Sequence, residues 1–533
     1  MLVEWKPLVQ PPPPALPRWM HCATAAPHAL RWPGVHWRPL ASTGEAHPAP
    51  PGRAIGPSTR APRPQRKMAM LNSHRARIVP CPRRIHIHHH CVIILSSFCH
   101  QFVIIWPQEP CRRFTLIAST MPQLLNLPTE ILQAICCSLC SHCPGHGESW
   151  KTSRRALSYL SQTCSTLQDI AQPTLYHSLD PFRGNPVPLL QTLDGRPDLA
   201  AKVQEMYVGV DWDLSESISP EDVVFCEALM NKNPKEDGSL VQFSPNWSTQ
   251  DRGAGNDSGL FAFEPEAALA ALALTQIPNV QSLELECGYF WDFPFCTPGS
   301  LPCLTQLTFR HADTELGQDL AAIKHVLAAA PHLNILNGHM ISRVSGNFSH
   351  HNVVELNLTF SHLEAEEFEA LMTGLIKLSS FAYESGGAII SDTEETTPVK
   401  ISQALHIRSN TLQHVLLDFE EAFFIDGIGP EDVITSLKAM KHLKTLTLSC
   451  MAIYADDDES TDETRLVNLL PPSIEILTIR NLYTHKLNDM LRLGEMVPTL
   501  FPNLKKVHVP GIEVDKLAVV QAAFSTSKVT VSL

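Results

Sequence analysis

Nine times between residues 280 and 509 the chain repeats one short pattern: an apolar anchor, two variable residues, then apolar positions alternating with polar ones. It reads Val280-Gln281-Ser282-Leu283-Glu284-Leu285, then Leu304-Thr305-Gln306-Leu307-Thr308-Phe309, and later Leu443-Lys444-Thr445-Leu446-Thr447-Leu448. One copy, Leu333-Asn334-Ile335-Leu336, is degenerate, with Gly338 where the last apolar residue belongs. The strand positions 283, 307, 336, 356, 381, 415, 446, 477 and 507 advance by 20 to 34 residues. Period-two alternation buries one face of a strand, and a single repeat is too short to cover that face alone, so neighbouring repeats must stack. Helical stretches are predicted between strands at Pro265 to Gln276, Leu316 to Ala330, Glu364 to Leu375, Pro430 to Met440 and Val514 to Phe524. The expectation is an α/β chain with an irregular strand–helix solenoid over 265–533; a non-solenoid α/β fold built from parallel βαβ units is the alternative.

The first 120 residues do not share this pattern. They hold 19 of the 43 prolines and 15 of the 41 Lys and Arg, against three acidic residues, so they carry about half the chain's prolines in under a quarter of its length. Proline at that density removes backbone donors and breaks helices and central strands, so 1–120 is expected to be a disordered extension, or to precede the true start at Met121. The run Arg83 to Cys91 has metal-ligand residues. Cys91 to Trp106 is apolar but short of the ~20 residues that span a membrane. The remainder has 26 basic against 51 acidic residues. An acidic body repels phosphate backbones, so neither nucleic acid nor a membrane is expected as a partner. The fifteen cysteines have no regular spacing and no apolar leader follows Met1, which places the thiols, reduced, in the cytosol or nucleus. The Asn-x-Ser/Thr sequons at Asn246, Asn256, Asn347 and Asn357 are then chance matches.

Residues 121–180 form a distinct stretch, followed by a connecting region, 181–264, with a flexible insertion from Lys232 to Ser258. Leu124-Leu125-Asn126-Leu127-Pro128-Thr129-Glu130-Ile131-Leu132-Gln133-Ala134-Ile135 predicts a helix with Pro128 in its first turn and Glu130 at the positive end of its dipole. A second helix is predicted from Arg155 to Ala171, stopped by Pro173, with Leu157, Leu160, Cys164, Leu167 and Ile170 on one stripe. Two such helices bury little area alone and need a partner or the adjoining domain. Between them lies Cys137-x-x-Cys140-x-x-Cys143-x-x-His146, with Cys136 and His142 nearby. Thiolates and imidazoles in this number can complete a tetrahedral zinc site, but structural sites draw ligand pairs from separate turns. Reduced thiols packed as small apolar groups are the expectation, with no metal and no cofactor.

The Leu-Pro-x-Glu-Ile-Leu opening, the later Leu-x-x-Leu-Ser-x-Thr-Cys stretch and the closing Ala-Gln-Pro-x-Leu-Tyr-His-Ser-Leu resemble the F-box in its fungal form. The following Leu190 to Val203 also resembles the segment after that box, and the strand pattern resembles leucine-rich repeats, with the usual Asn after each strand missing from most copies. The loop Ser138 to Ser153 is longer than the family's usual link. The resemblance implies a non-catalytic substrate receptor of an SCF (Skp–cullin–F-box) ubiquitin ligase, or alternatively an F-box scaffold without a role in ubiquitin transfer. By position it implies that Leu127, Pro128, Ile131, Leu132, Ile135, Leu157, Leu160 and Leu167 dock the Skp adaptor, and through it the cullin.

A target protein would be held by the outward strand positions, among them Glu284, Glu286, Thr308, Arg310, Asn357, Glu384, Asp418, Thr447, Ser449, Thr478, Arg480 and His508. They are mixed polar, which suits a protein surface better than a polyanion. The acidic run from Asp456 to Glu463 lacks the turn-forming Gly of a calcium loop and reads as solvated. No phosphate loop, dinucleotide fingerprint, Gly-x-Ser-x-Gly elbow or His-Glu-x-x-His motif is present, so no enzyme class is indicated.

Overall fold

The computed structural model describes residues 91–95, 102–106, 124–140, 143, 150–179, 186–209, 219–232, 265–288, 291, 293–311, 317–346, 348–387, 396–422, 427–455 and 463–533. The chain divides into two compact units, Met1–Arg112 and Arg113–Leu533. In the first, strands β1 (Cys91–Leu95) and β2 (Phe102–Trp106) pair antiparallel, Cys91 opposite Trp106. Both stretches are proline-free and rich in β-branched and aromatic residues, which favour strands. The Arg83 to His90 run and most of the proline-rich segment lie outside the described residues. No helix among the described residues is long and apolar enough to cross a membrane.

The second unit is α/β. Its main sheet has twelve strands, joined side by side in parallel. These are β3 (Ser178–Leu179), β4 (Glu205–Val208), β5 (Ser282–Cys287), β6 (Gln306–His311), β8 (Ile335–His339) and β10 (Glu355–Ser361), then β11 (Ser380–Ser385), β12 (His414–Asp418), β13 (Thr445–Ser449), β14 (Ile476–Arg480), β15 (Lys506–His508) and β16 (Thr530–Ser532). The short β7 (Gln318–Asp319) and β9 (Ile341–Arg343) pair with each other. Helices alternate with the strands: α1 (Thr129–Ser138), α2 (Trp150–Ser161) and α3 (Ser165–Leu175) come first, then α4 (Val187–Gly195), α5 (Pro197–Ala200), α6 (Pro220–Lys232) and α7 (Pro265–Gln276). Between later strands lie α8 (Lys324–Ala329), α9 (Ala365–Gly374), α10 (Pro398–Leu405), α11 (Arg465–Leu469), α12 (Leu487–Leu500) and α13 (Val514–Ala523).

One inward row runs through every strand: Leu179, Met206, Leu283, Leu307, Leu336, Leu356, Phe381, Val415, Leu446, Leu477, Val507 and Val531 are all buried. Each such side chain contributes about 1.5–3 kcal/mol on leaving water, which is why the register cannot slip. Helix α7 is buried from Ala267 through Leu274, as a helix apolar all round must be. The residue before each strand extends the ladder: Thr305 N donates to Gln281 O at 2.9 Å, and Gln281 N in turn to Gln204 O at 2.7 Å. Asn279, Asn352 and Asn503 donate side-chain amides to Ala201, Pro331 and Pro472 carbonyls of the preceding repeat, at 2.8, 2.6 and 3.2 Å. The degenerate copy has its own account. A Cβ on Gly338 would meet Ile341 Cγ1 at 2.6 Å and Leu358 Cδ2 at 2.8 Å, so those side chains fill the missing apolar position.

Where the usual Asn is missing, serines do part of its work. Ser361 Oγ accepts from Ile341 N at 3.1 Å, and Ser449 Oγ from Phe419 N at 3.0 Å, each tying a repeat to its neighbour. Toward the strand ends, Met340, Phe360 and Asn481 take positive φ of 59°, 48° and 50°, and Gly511 takes 86°, with Phe360 inside β10 where its register to β11 shifts. All four sit five residues after the first ladder residue of their strand. Asn and Gly tolerate that conformation; Met and Phe carry a strain of about 1–2 kcal/mol.

Three expectations are corrected. The repeat pattern begins earlier than 265, because β3 and β4 already belong to the sheet; the long insertion after Gly209 separates them from the next copy. Residues 430–440 are not helical: Ile434 N donates to Ala452 O and Leu437 N to Leu469 O, so neighbouring turns take the donors a helix would use. The β-branched run Val433-Ile434-Thr435 also disfavours a helix. The stretch Arg155 to Ala171 is two helices rather than one, broken at Cys164, whose backbone is extended (φ −161°, ψ 164°), and Pro173 sits inside α3 without stopping it.

Candidate functional site

Two surfaces and one side-chain cluster carry chemistry. The first surface is on the helical module α1–α3. Pro128 stands one residue before α1, and its carbonyl accepts from Ile131 N and Leu132 N, so the helix starts at once and sets the following side chains in register. Leu132, Cys136, Leu157, Leu167, Ile170 and Ala171 close a small core, with Leu127 and Leu160 packed against it. The eight residues expected to face an adaptor therefore divide. Leu132, Leu157 and Leu167 are internal; Pro128 and Ile131 are exposed, Ile131 at 47%, and Ile135 is half-buried. Positions 132 and 136, one turn apart, point at α3, and 131 and 135 lie on the adjoining stripe. Pro128 shares the stripe of 132 and is exposed because it precedes the first helical turn. Leu125, three residues before Pro128, is also uncovered, at 42% exposure.

The second surface is the open side of the sheet. Its outward residues pair laterally across strands about 4.8 Å apart. Arg310 Nη2 lies 2.8 Å from Glu286 Oε2, 3.4 Å from Glu284 Oε1 and 2.9 Å from the Tyr207 hydroxyl, which also hydrogen-bonds Glu286. Burial, opposed by Arg310, raises the Glu284 carboxyl above its ordinary value. Burial, then the Glu286 carboxylate, pushes the Tyr207 hydroxyl up to about 12. Farther along, Arg480 pairs with Asp418 and lies 3.7 Å from Glu384, whose carboxyl is raised by burial. Between them Asn357 Nδ2 donates to Asn337 Oδ1 at 2.8 Å and to Glu355 Oε1 at 2.9 Å. Thr447 and Thr478 continue the central row, opposite Leu416 and each other. Asn357 and Asp418, expected outward, are buried at 7% and 8%, and Ser449 is fully buried, because each is drawn into these side-chain and backbone bonds. Both arginines are thus neutralised within the sheet. Tyr207, Glu286 and Asn337 belong to this face, and only Glu286 was legible from the strand pattern.

The cluster lies where the helical module meets the sheet. Cys137 and Cys140 are one helical turn apart at the end of α1, and Cys143 follows. His177 comes from the far side of α3. The ligand atoms of Cys140, Cys143 and His177 all lie within 4.8 Å of one another, with Cys140 Sγ 3.9 Å from His177 Nδ1. Cys140 Sγ also approaches Thr174 O at 3.8 Å. The Cys143 thiol interacts with both Cys140 and Cys137; burial first, then these neighbours, pushes it up to about 12. His177 is 37 residues from Cys140 in sequence, so no local spacing could reveal that it joins the cluster. His142 and His146 lie outside the described residues.

No known family model matches the chain, and no curated protein is similar to it.

Proposed function

We propose that this chain is a non-catalytic substrate receptor, in which an F-box-like helical module engages the Skp adaptor of an SCF-type ubiquitin ligase and a leucine-rich-repeat-like sheet holds a target protein. The observation that carries the reading is the division within α1. The module closes its own core with Leu132, Leu157 and Leu167, and leaves Leu125, Pro128 and Ile131 uncovered beside the Leu-Pro-x-Glu-Ile-Leu motif. Apolar side chains that a small core does not need are what a docking helix offers a partner. The open side of the sheet supplies a broad array of hydroxyl, amide and internally paired charged groups, which favours a polar protein partner over a polyanion. The receptor's part in transfer is proximity: it raises the effective concentration of a target lysine near the transferring enzyme.

The test is binding of purified Skp adaptor to the full chain by calorimetry, beside a Pro128→Ala/Ile131→Asp variant. The intact chain is expected to bind. The variant should lose about 3 kcal/mol, roughly two orders of magnitude in affinity, with an unchanged circular dichroism spectrum because both side chains are exposed. Failure of the intact chain to bind would overturn the reading. Ubiquitin transfer to a bound target would then separate a receptor from a scaffold that only tethers.

A further inference from the structure

We propose that Cys137, Cys140, Cys143 and His177 bind one zinc ion as a structural Cys3His site that fastens the helical module to the first strand of the sheet. The inference stands independently of the adaptor-binding reading.

Geometry is the first support. With zinc–sulfur bonds of about 2.3 Å and zinc–nitrogen bonds of about 2.0 Å, tetrahedral ligands stand about 3.5–3.8 Å apart. Cys140 Sγ and His177 Nδ1 are already 3.9 Å apart, and Cys143 completes a triangle within 4.8 Å. Shifts of a few tenths of an ångström, with rotation of the Cys143 thiol, bring the three to bonding distance. Cys137, in the last turn of α1 and three residues before Cys140, stands outside that triangle and becomes the fourth ligand by turning its thiol toward it.

The origin of the ligands is the second. Structural zinc sites join segments distant in sequence, and here a Cys-x-x-Cys pair at a helix end meets a histidine 37 residues from Cys140. The ion would sit at the C-terminus of α1, the negative end of the helix dipole, where a cation is favoured. His177 is itself anchored, since its carbonyl accepts from Gln204 N at 2.8 Å and Glu205 N at 2.9 Å, at the start of β4. One ion would therefore hold the end of α1, the end of α3 and the first two strands together.

Need is the third. The module's core has six buried residues, far fewer than an independent domain requires, and small cores commonly depend on a metal or a neighbour. On binding, each thiol gives its proton to solvent and the ion takes the thiolate electron pairs; no oxidant or reductant takes part.

The test is metal analysis of the full chain, reduced, incubated with zinc and desalted, followed by replacement with cobalt(II). One equivalent of zinc per chain is expected, with the intense visible bands of tetrahedral cobalt and a thiolate charge-transfer band. Cys143→Ser and His177→Asn should each weaken zinc binding by at least about 10-fold, whereas Cys226→Ser, a buried thiol outside the cluster, should leave it unchanged. The cobalt spectrum of the unmodified chain needs no variant to fold. Absence of stoichiometric zinc, a cobalt spectrum of octahedral type, or a Cys140–Cys143 disulfide persisting under reduction would each overturn the proposal.

Discussion

His350 illustrates how one side chain links burial to solution behaviour. Its Nε2–H donates to Ala330 O at 3.0 Å, and Nδ1 is enclosed with no hydrogen-bond partner. Protonating Nδ1 would place a new donor in apolar surroundings, so burial lowers the His350 pKa below its ordinary 6.5. His339, His414 and His508 are lowered in the same direction, burial first in each case. The unfolded chain takes up protons near pH 6.5 that the folded chain refuses. The contribution is therefore complete above pH 6.5 and is lost as the pH falls below it toward the folded values. Glu284 and Glu384 act oppositely: their raised carboxyls contribute fully below about pH 4.5, and that contribution goes as pH rises through their folded values. Urea midpoints should thus fall between pH 7.5 and pH 5.5. His350→Gln, which keeps a donor for Ala330 O, should show a smaller fall; an equal fall would remove His350 from the account.

Among elements, the strand end recurs with the same left-handed residue, and the side chains there differ in what they cost. Phe360 is 40% exposed, meets His339 edge to face, and holds a conformation that Asn481 adopts with less strain. Phe360→Asn and Phe360→Ala lose the same ring contact, so their difference reports the backbone alone. The Asn variant should be more stable by about 1 kcal/mol in urea unfolding; equal stability would mean that the turn carries no strain. The elements also show what was legible. The main-sheet strands from β5 to β15 could be read because each places its apolar anchors within six residues, where period two leaves little freedom; β7 lies instead within the helical stretch expected from Leu316 to Ala330. β3 and β4 could not: β3 has two residues, β4 alternates over only four, and the insertion after Gly209 separates them from the next copy. The helix expected at 430–440 failed because tertiary acceptors, Ala452 O and Leu469 O, outcompeted the local ones. On the candidate site, the amphipathic stripe of α1 was readable, but which of its residues face inward depends on α3, and the Cys–His meeting depends on chain separated by α2 and α3.

For the second unit taken whole, burial falls into separate bodies. One continuous core runs from Leu179 to Val531 beneath the sheet, while Leu132, Cys136, Leu157, Leu167, Ile170 and Ala171 form another that shares no buried side chain with it. A repeat sheet with a continuous core and an unbroken backbone ladder opens only at great cost, because each strand's removal exposes two neighbours. The helical module has no such support on its outer side and should open on its own. Leu132→Ala removes a side chain from the centre of a six-residue core, a loss of about 2–5 kcal/mol that this module can ill absorb. In hydrogen exchange, amides of α1 and α3 should exchange much faster in this variant, while those of β6 to β14 keep their native protection. Equal acceleration in the sheet would mean that module and sheet unfold as one cooperative body. Retained protection in the sheet would mean that the module orders and opens without disturbing the open side of the sheet.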